Sequence, residues 1–364
     1  MAKAEVFFEK LWNSKRTDHA TPLLSFLFLC SLFYGMIIRC RNLFFRLGLF
    51  RTYRLNRPVI SIGNITVGGT GKTPAVLHIS SMLQDKGFHP AILSRGYGGK
   101  ERVPVTVVTT GKDILTGPDM AGDEPCMMAA CSHGVPVLTG CKRALTGQHA
   151  IEKFSADVLV LDDAFQHRQL ARDIDIVLLN ATRPFGNGFL LPRGPLREPA
   201  SALRRADAII LNGNDSGSGE KETCSHPSEH GLPAIPIFSA YYKLKDLKKA
   251  DDVFPIDFLK SKRVSAFCGI ANPESFRRSL EHAGAEIVSW MPLPDHYPYS
   301  QSDIAEINTA ALESATDMIV TTEKDSIKLV RFSDFFRQVF VLRIEMRIRP
   351  EAAWENFIKD RIKP

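Results

Sequence analysis

The chain has 364 residues, 44% hydrophobic and 24% charged, which is long enough for two domains with separate cores and neither disordered nor fibrous in composition. Its net charge of +6 is local: residues 1–57 carry ten Lys/Arg against three Asp/Glu, leaving 36 basic and 37 acidic residues for the remainder. One basic surface argues against nucleic acid as the main partner, and seven scattered cysteines without a Cys-x-x-Cys pair make a poor disulfide framework and a poor zinc site.

The first predicted element is apolar. No charged residue lies between Asp18 and Arg39, and the run PLLSFLFLCSLFYGMII occupies residues 22–38, at the lower limit for spanning a bilayer. Arg39, Arg41, Arg46, Arg51, Arg54 and Arg57 follow, interleaved with Leu and Phe, which suits a helix at an anionic lipid surface. The missing small-x-small site, and Glu5 and Glu9 upstream, argue against a cleaved signal peptide. A buried core helix is the bland alternative to a membrane anchor, spanning or interfacial. The arginine-rich flank favours a cytoplasmic orientation.

From residue 58 short apolar strands alternate with helical stretches, the pattern of an α/β parallel sheet. Strands are expected at 59–63, 90–94, 135–139, 158–161, 174–179 and 208–211, and helices at 72–86, 124–132 and 142–154. The stretch 212–233 is polar and rich in Gly and Ser, a linker or surface loop. Strands at 264–269, 287–290 and 318–321 then announce a second, smaller α/β unit. The expected division is an anchor at 1–57, a P-loop core at 58–211, the linker, and a smaller lobe at 234–364.

Between the first strand and the first helix of the core stands Gly68-Gly69-Thr70-Gly71-Lys72-Thr73. Strand, Gly-rich turn and helix is the context that makes a GKT match a phosphate-binding loop. Glycines let successive N–H groups face the phosphates, Lys72 would bridge the β- and γ-phosphates of ATP, and the Thr73 hydroxyl would ligate Mg²⁺. Thr66 stands where G-x-x-x-x-G-K-[ST] has its first glycine, so the loop is closer to the GGxGKT form, although Val67 replaces the second lysine frequent there.

The strand at 158–161 runs into Asp162-Asp163, as in a Walker B element, and two adjacent side chains at a strand end diverge, so at most one is expected to touch metal directly. Asp123 in Gly-Asp-Glu-Pro reads from pattern alone as a helix N-cap, and His296 as an ordinary loop histidine. In the rigid stretch RPFGNGFLLPRGPLREP, Arg193 and Arg197 are candidates to meet phosphate.

Eight segments in order, SIGNITVGGTGKTP, LSRGYGG, GDEP, LDDAFQHRQLARD, RPFGNGFLLPRGPLREP, FCGIANPESF, PDHYP and TTEKDS, resemble the tetraacyldisaccharide 4'-kinases of lipid A synthesis, from Ser61 to Ser326. The resemblance implies a P-loop NTPase-like core with flanking helices and a smaller lobe that closes over nucleotide. It implies ATP-dependent phosphorylation of the 4'-hydroxyl of a tetraacyldisaccharide 1-phosphate, by a monotopic enzyme on the cytoplasmic face of the inner membrane and without an obligate protein partner. Carried onto this sequence, Asp123 becomes the catalytic base and His296 its support, with Lys72 on the phosphates. Thr66, Gly68, Gly69, Thr70, Gly71, Thr73 and Glu198 would surround nucleotide. Asp162 and Asp163 would serve Mg²⁺, and Asn64, Arg95, Gln166, His167 and Arg197 the substrate. The competing reading is a membrane-associated P-loop ATPase switch, against which Val67 counts.

Overall fold

The computed structural model describes residues 12, 22–97, 99, 103–213, 234–295 and 297–362. His296 and residues 214–233 of the polar stretch therefore lie outside the described residues.

Helix α1 (Pro22–Arg46) is followed by β1 (Val59–Gly63), α2 (Lys72–Asp85), β2 (Pro90–Ser94), β3 (Thr106–Thr109), α3 (Pro118–Ala121) and α4 (Asp123–Cys131). Next come β4 (Val137–Thr139), α5 (Arg143–Phe154), β5 (Val158–Leu161), β6 (Ile174–Asn180) and β7 (Ala208–Asn212). The second half contributes β8 (Ile237–Lys249), β9 (Asp252–Phe254), β10 (Arg263–Cys268), α6 (Pro273–His282), β11 (Glu286–Pro292) and α7 (Gln301–Glu313). It closes with β12 (Met318–Thr322), α8 (Glu323–Leu329), α9 (Ser333–Phe336), β13 (Val339–Arg349) and α10 (Glu351–Lys359).

The predicted α/β class holds. Among the described residues the strands form one sheet in the order β11-β10-β12-β13-β8-β7-β6-β1-β5-β2-β4-β3, with β9 beside β8. From β4 to β7 the pairings are parallel, and both faces are covered, which is why these strands read as unbroken apolar runs. Ile60 and Ile62 of β1 enter one core with Ile79 and Leu83 of α2, while Val59 enters the opposite one with Leu159 and Ala150.

The two halves are joined through backbone. The start of β8 pairs parallel with β7, and most of its length pairs antiparallel with β13. Both strands were absent from the expected elements. Phe238, Met346, Ile348 and Trp354 from the second half are buried in the same core as the phosphate-loop helix. Residues 247–342 build further cores of their own, among them Val264, Leu280 and Val320 in one and Phe267, Ile304 and Leu329 in another.

Helix α1 lies along the protein. Leu27, Ser31, Gly35 and Ile38 form a narrow buried stripe at helical spacing. That stripe rests on the 183–199 stretch: Ser31 Oγ bridges Leu190 O and Arg193 N, and Tyr34 donates to Arg197 O at 2.9 Å. A side chain at Gly35 would begin 2.8 Å from Leu190 Cδ1, so the leucine tip would have to shift to admit one. The opposite face is apolar and bare, with Phe26, Leu29 and Phe33 each more than 60% exposed.

Candidate active site

Parallel pairing of β1 with β5, and of β5 with β2, sets the carboxyl ends of three strands side by side. The loops that follow them carry Gly68–Thr73, Asp162-Asp163 and Arg95. All three line one open cleft, together with Asp123, Gln166, His167 and Arg197. Residues Ile270, Ala271, Asn272 and Lys324 of the second half form its far wall.

The phosphate loop is shaped by its glycines. Gly68 and Gly71 have φ of 100° and 85°, in the left-handed region. Gly71 is the N-cap of α2 and offers no side-chain cap, so the first N–H groups of a 14-residue helix face the cleft without one. At Gly71 a Cβ would collide with the Asn212 amide and lie 2.6 Å from the Tyr242 hydroxyl. Those two side chains brace the loop: Asn212 Nδ2 donates to Thr70 O at 2.9 Å and lies 3.0 Å from Tyr242 Oη. Neither was singled out in the sequence. Asn212 had a local signal, a polar residue ending an apolar strand.

Two residues expected at ligands stand behind the loop. Asn64 is fully buried and donates to Thr70 Oγ1 at 3.0 Å, and Thr66 is bridged to the backbone of Leu196. Val67 N also donates to Pro195 O at 2.8 Å and Arg197 N to Ile65 O at 2.7 Å, so the 183–199 stretch staples the loop from outside.

The two aspartates diverge as a strand end requires. Asp162 is 2% exposed and turns toward β2, where Ser94 Oγ donates to its Oδ2 at 3.1 Å. Its Oδ1 is buried without a hydrogen-bond partner among the described residues. Burial, with Glu124 and Asp163 nearby, pushes this carboxyl up to about 7 against the pull of Lys72. Asp163, at φ 46°, turns toward the phosphate loop: Lys72 Nζ lies 3.7 Å away and Arg197 grips both oxygens at 3.0 and 2.9 Å. Burial alone would raise Asp163, but the two cations outweigh it and hold the carboxyl below its usual value.

Asp123 is the first residue of α4, with Gly122 rather than Asp123 as the N-cap. Its carboxylate is 33% exposed and 3.9 Å from Lys328 Nζ, which comes from α8 in the second half. Gln166 donates to Asn64 O at 2.9 Å. His167 is pushed down to about 4 by burial and by Arg143, Arg172 and Arg95, so its ring is neutral at pH 7. Arg143, a buried guanidinium lining the same wall, had no motif to mark it.

Glu198 and Arg193 are not brought to the cleft wall. Glu198 is fully buried, takes two bonds from Arg205 at 3.1 Å each, one from Asn42 at 2.9 Å, and pairs with Arg41 at 3.3 Å. Arg193 is buried with its guanidinium over the Phe189 ring. Glu198 ties the 183–199 stretch to α1 through Arg41 and Asn42, while the Arg193 guanidinium packs within the stretch and its backbone N–H reaches Ser31 of α1. Replacing Glu198 by alanine strands two guanidiniums in partly buried positions and is expected to cost about 3 kcal/mol, read as a lowered midpoint in denaturant unfolding.

The profile of a protein family described as tetraacyldisaccharide-1-P 4'-kinase (LpxK) matches residues 23–363. A relative from Syntrophus aciditrophicus named tetraacyldisaccharide 4'-kinase is 46% identical over 365 residues, covering 97% of each chain. One of the same name from Pelobacter propionicus is 38% identical over 353 residues, covering 96% of this chain and 95% of its own. Among solved structures, LpxK from Aquifex aeolicus in complex with ATP superposes with a TM-score of 0.77 at 32% identity, covering 94% of this chain and all of that one.

Proposed function

The chain belongs to the tetraacyldisaccharide-1-P 4'-kinase family, and from that premise we propose that it transfers the γ-phosphoryl group of ATP to the 4'-hydroxyl of a tetraacyldisaccharide 1-phosphate. The observation that carries the reading is the single cleft uniting an uncapped phosphate-loop helix, the Asp162-Asp163 pair and Asp123. Thr73 in the first turn of α2 and the partnerless Oδ1 of Asp162 are the groups that fit Mg²⁺, hard oxygen donors for a hard cation. Bound there, the ion would neutralise charge on the β- and γ-phosphate oxygens.

The protein's own groups do the rest. Backbone N–H groups of Gly68–Thr73 cradle the phosphates, and Lys72 leaves Asp163 to follow the γ-phosphoryl charge. Asp163, with Arg197 still in place, then holds the loop region together. Asp123 takes the proton of the 4'-hydroxyl as its oxygen bonds to γ-phosphorus and the bond to the departing ADP oxygen breaks. His296 is the expected support for that base. Arg95, neutral His167 and Gln166 line the wall where an anionic, hydroxyl-rich substrate would lie. Asn64, Thr66 and Glu198 act on the nucleotide site through the loop they brace.

A tetraacylated substrate stays in a bilayer, so the cleft must work at its surface. Helix α1 is long and apolar enough to cross a membrane, but Ser31, Tyr34, Arg41 and Asn42 along it are engaged by the 183–199 stretch and its surroundings. A helix committed to protein over that length lies in the interface, with Phe26, Leu29 and Phe33 in the acyl region. We read the enzyme as monotopic, on the cytoplasmic face of the inner membrane, and without an obligate protein partner. In this reading residues 58–211 are the kinase core and 234–364 the smaller lobe, connected through β8 and β13. The test is incubation in detergent with γ-labelled Mg-ATP and tetraacyldisaccharide 1-phosphate. Label in the lipid supports the reading; a folded, ATP-binding protein that labels no lipid sinks it.

A further inference from the structure

Lys328 has no place in the phosphate chemistry above, yet it sits in an unusual position. Its side chain is 8% exposed and does not line the cleft, so an ammonium has been taken from water without reaching a ligand. Its surroundings compensate. Nζ lies 3.9 Å from Asp123 Oδ2 and donates to Tyr297 O at 3.2 Å. Asp325, one turn earlier on α8, and Asp295, ahead of Tyr297, add negative charge; Lys324, also on α8, opposes it but is itself bonded to Asp295 at 2.7 Å. Burial pushes the Lys328 ammonium down, and Asp325 and Asp123 pull it back.

The elements holding these groups are stiff. Helices α4 and α8 pack against each other, with Cys131 Sγ donating to Glu323 Oε1 at 3.5 Å. Asp325 is fully buried and receives Gly269 N at 3.0 Å, Tyr299 Oη at 2.9 Å and Thr322 Oγ1 at 2.6 Å. A three-point grip of that kind fixes the start of α8, and Lys328 follows one turn later. On the side of Asp123, its own helix adds Glu124 and Cys126, and Lys328 brings a positive charge to the carboxylate from the second half.

We propose that Lys328 is a positioning residue for phosphoryl transfer: from behind the cleft wall its ammonium holds the Asp123 carboxylate ionised and aimed at the acceptor hydroxyl, and ties it to the backbone of Tyr297. The inference rests on Asp123 being the base. Lys328 keeps its protons throughout. The hydroxyl proton passes to Asp123, the new oxygen–phosphorus bond forms, and the electron pair of the broken bond leaves on ADP. Because Lys328 belongs to the second half and Asp123 to the first, the aim of the base depends on how the two halves meet.

The test is the pH profile of kcat for the full chain in detergent, with saturating Mg-ATP and tetraacyldisaccharide 1-phosphate, for wild type, Lys328→Met, Lys328→Arg and Asp123→Asn. Removing a cation beside a carboxylate raises the pH at which it ionises, so Lys328→Met should move the acid limb up by about one pH unit. It should also lower kcat by about 20–100-fold while KM for ATP stays within about threefold. Lys328→Arg should return the limb to its wild-type position and recover most of the rate. An unmoved limb in Lys328→Met, at any rate, overturns the inference, as does an arginine variant no better than methionine. Wild-type activity in Asp123→Asn would instead bring down the base assignment. An inactive Asp123→Asn beside an unmoved Lys328→Met limb removes only the role of Lys328.

Discussion

Lys72→Ala is expected to lower lipid phosphorylation by about a thousandfold with little loss of stability. The lysine opens α2, where backbone N–H groups and the helix dipole already favour phosphate, but neither can follow charge as it shifts onto the β–γ bridge. A mobile ammonium can. Its Nζ lies 3.7 Å from Asp163, and only 13% of its side chain is exposed. Alanine leaves Asp163 with Arg197 bound to both oxygens, so no buried carboxylate is orphaned and the midpoint of unfolding should fall by less than about 1 kcal/mol equivalent. Steady-state transfer of label to lipid, with a denaturation curve on the same preparation, checks both halves of the expectation. A variant within tenfold of wild type would mean that Lys72 does not meet the transferring phosphate.

Asp123→Asn should lower kcat by about 10²–10³-fold and leave ATP affinity unchanged. Asparagine keeps the shape at the start of α4 and continues to accept hydrogen bonds, but it cannot take a proton at neutral pH. Asp123 and Lys72 keep separate company: Asp123 lies 3.9 Å from Lys328 Nζ, whereas Lys72 Nζ lies 3.7 Å from Asp163. Binding and chemistry should therefore separate, which titration of a fluorescent ATP analogue and single-turnover transfer measure independently. Equal losses in both would place Asp123 on the nucleotide instead of the acceptor.

Much of the core was legible because its signals are local. A buried strand, a Gly-rich turn and a helix within 27 residues are dictated by short-range sterics, and β1 and α2 (Val59–Gly63 and Lys72–Asp85) fall within a residue of expectation. The apolar run of α1 and the aspartates ending β5 are equally self-contained. Asp123 shows where local reading stops. A pattern rule makes it the N-cap, but Gly122 takes that position at φ 93°, and Asp123 moves one residue into the helix with its carboxylate in the cleft.

Sequence by itself determined the α/β class, the phosphate loop, the paired aspartates and the apolar helix, each from residues a few positions apart. Only the tertiary structure decided that one sheet runs through both halves. Its linking strands β8 and β13 each run from an uncharged start into a half where charged and apolar residues mix, a pattern that becomes a ladder only when each finds the other. It also decided that Glu198 clamps Arg41 and Arg205 rather than lining the cleft, and that Lys328 reaches Asp123. A charge in a sequence specifies what a residue can pair with, but not with whom. That choice is made by non-local strand pairing and helix packing, which set buried charges side by side across the whole length of the chain.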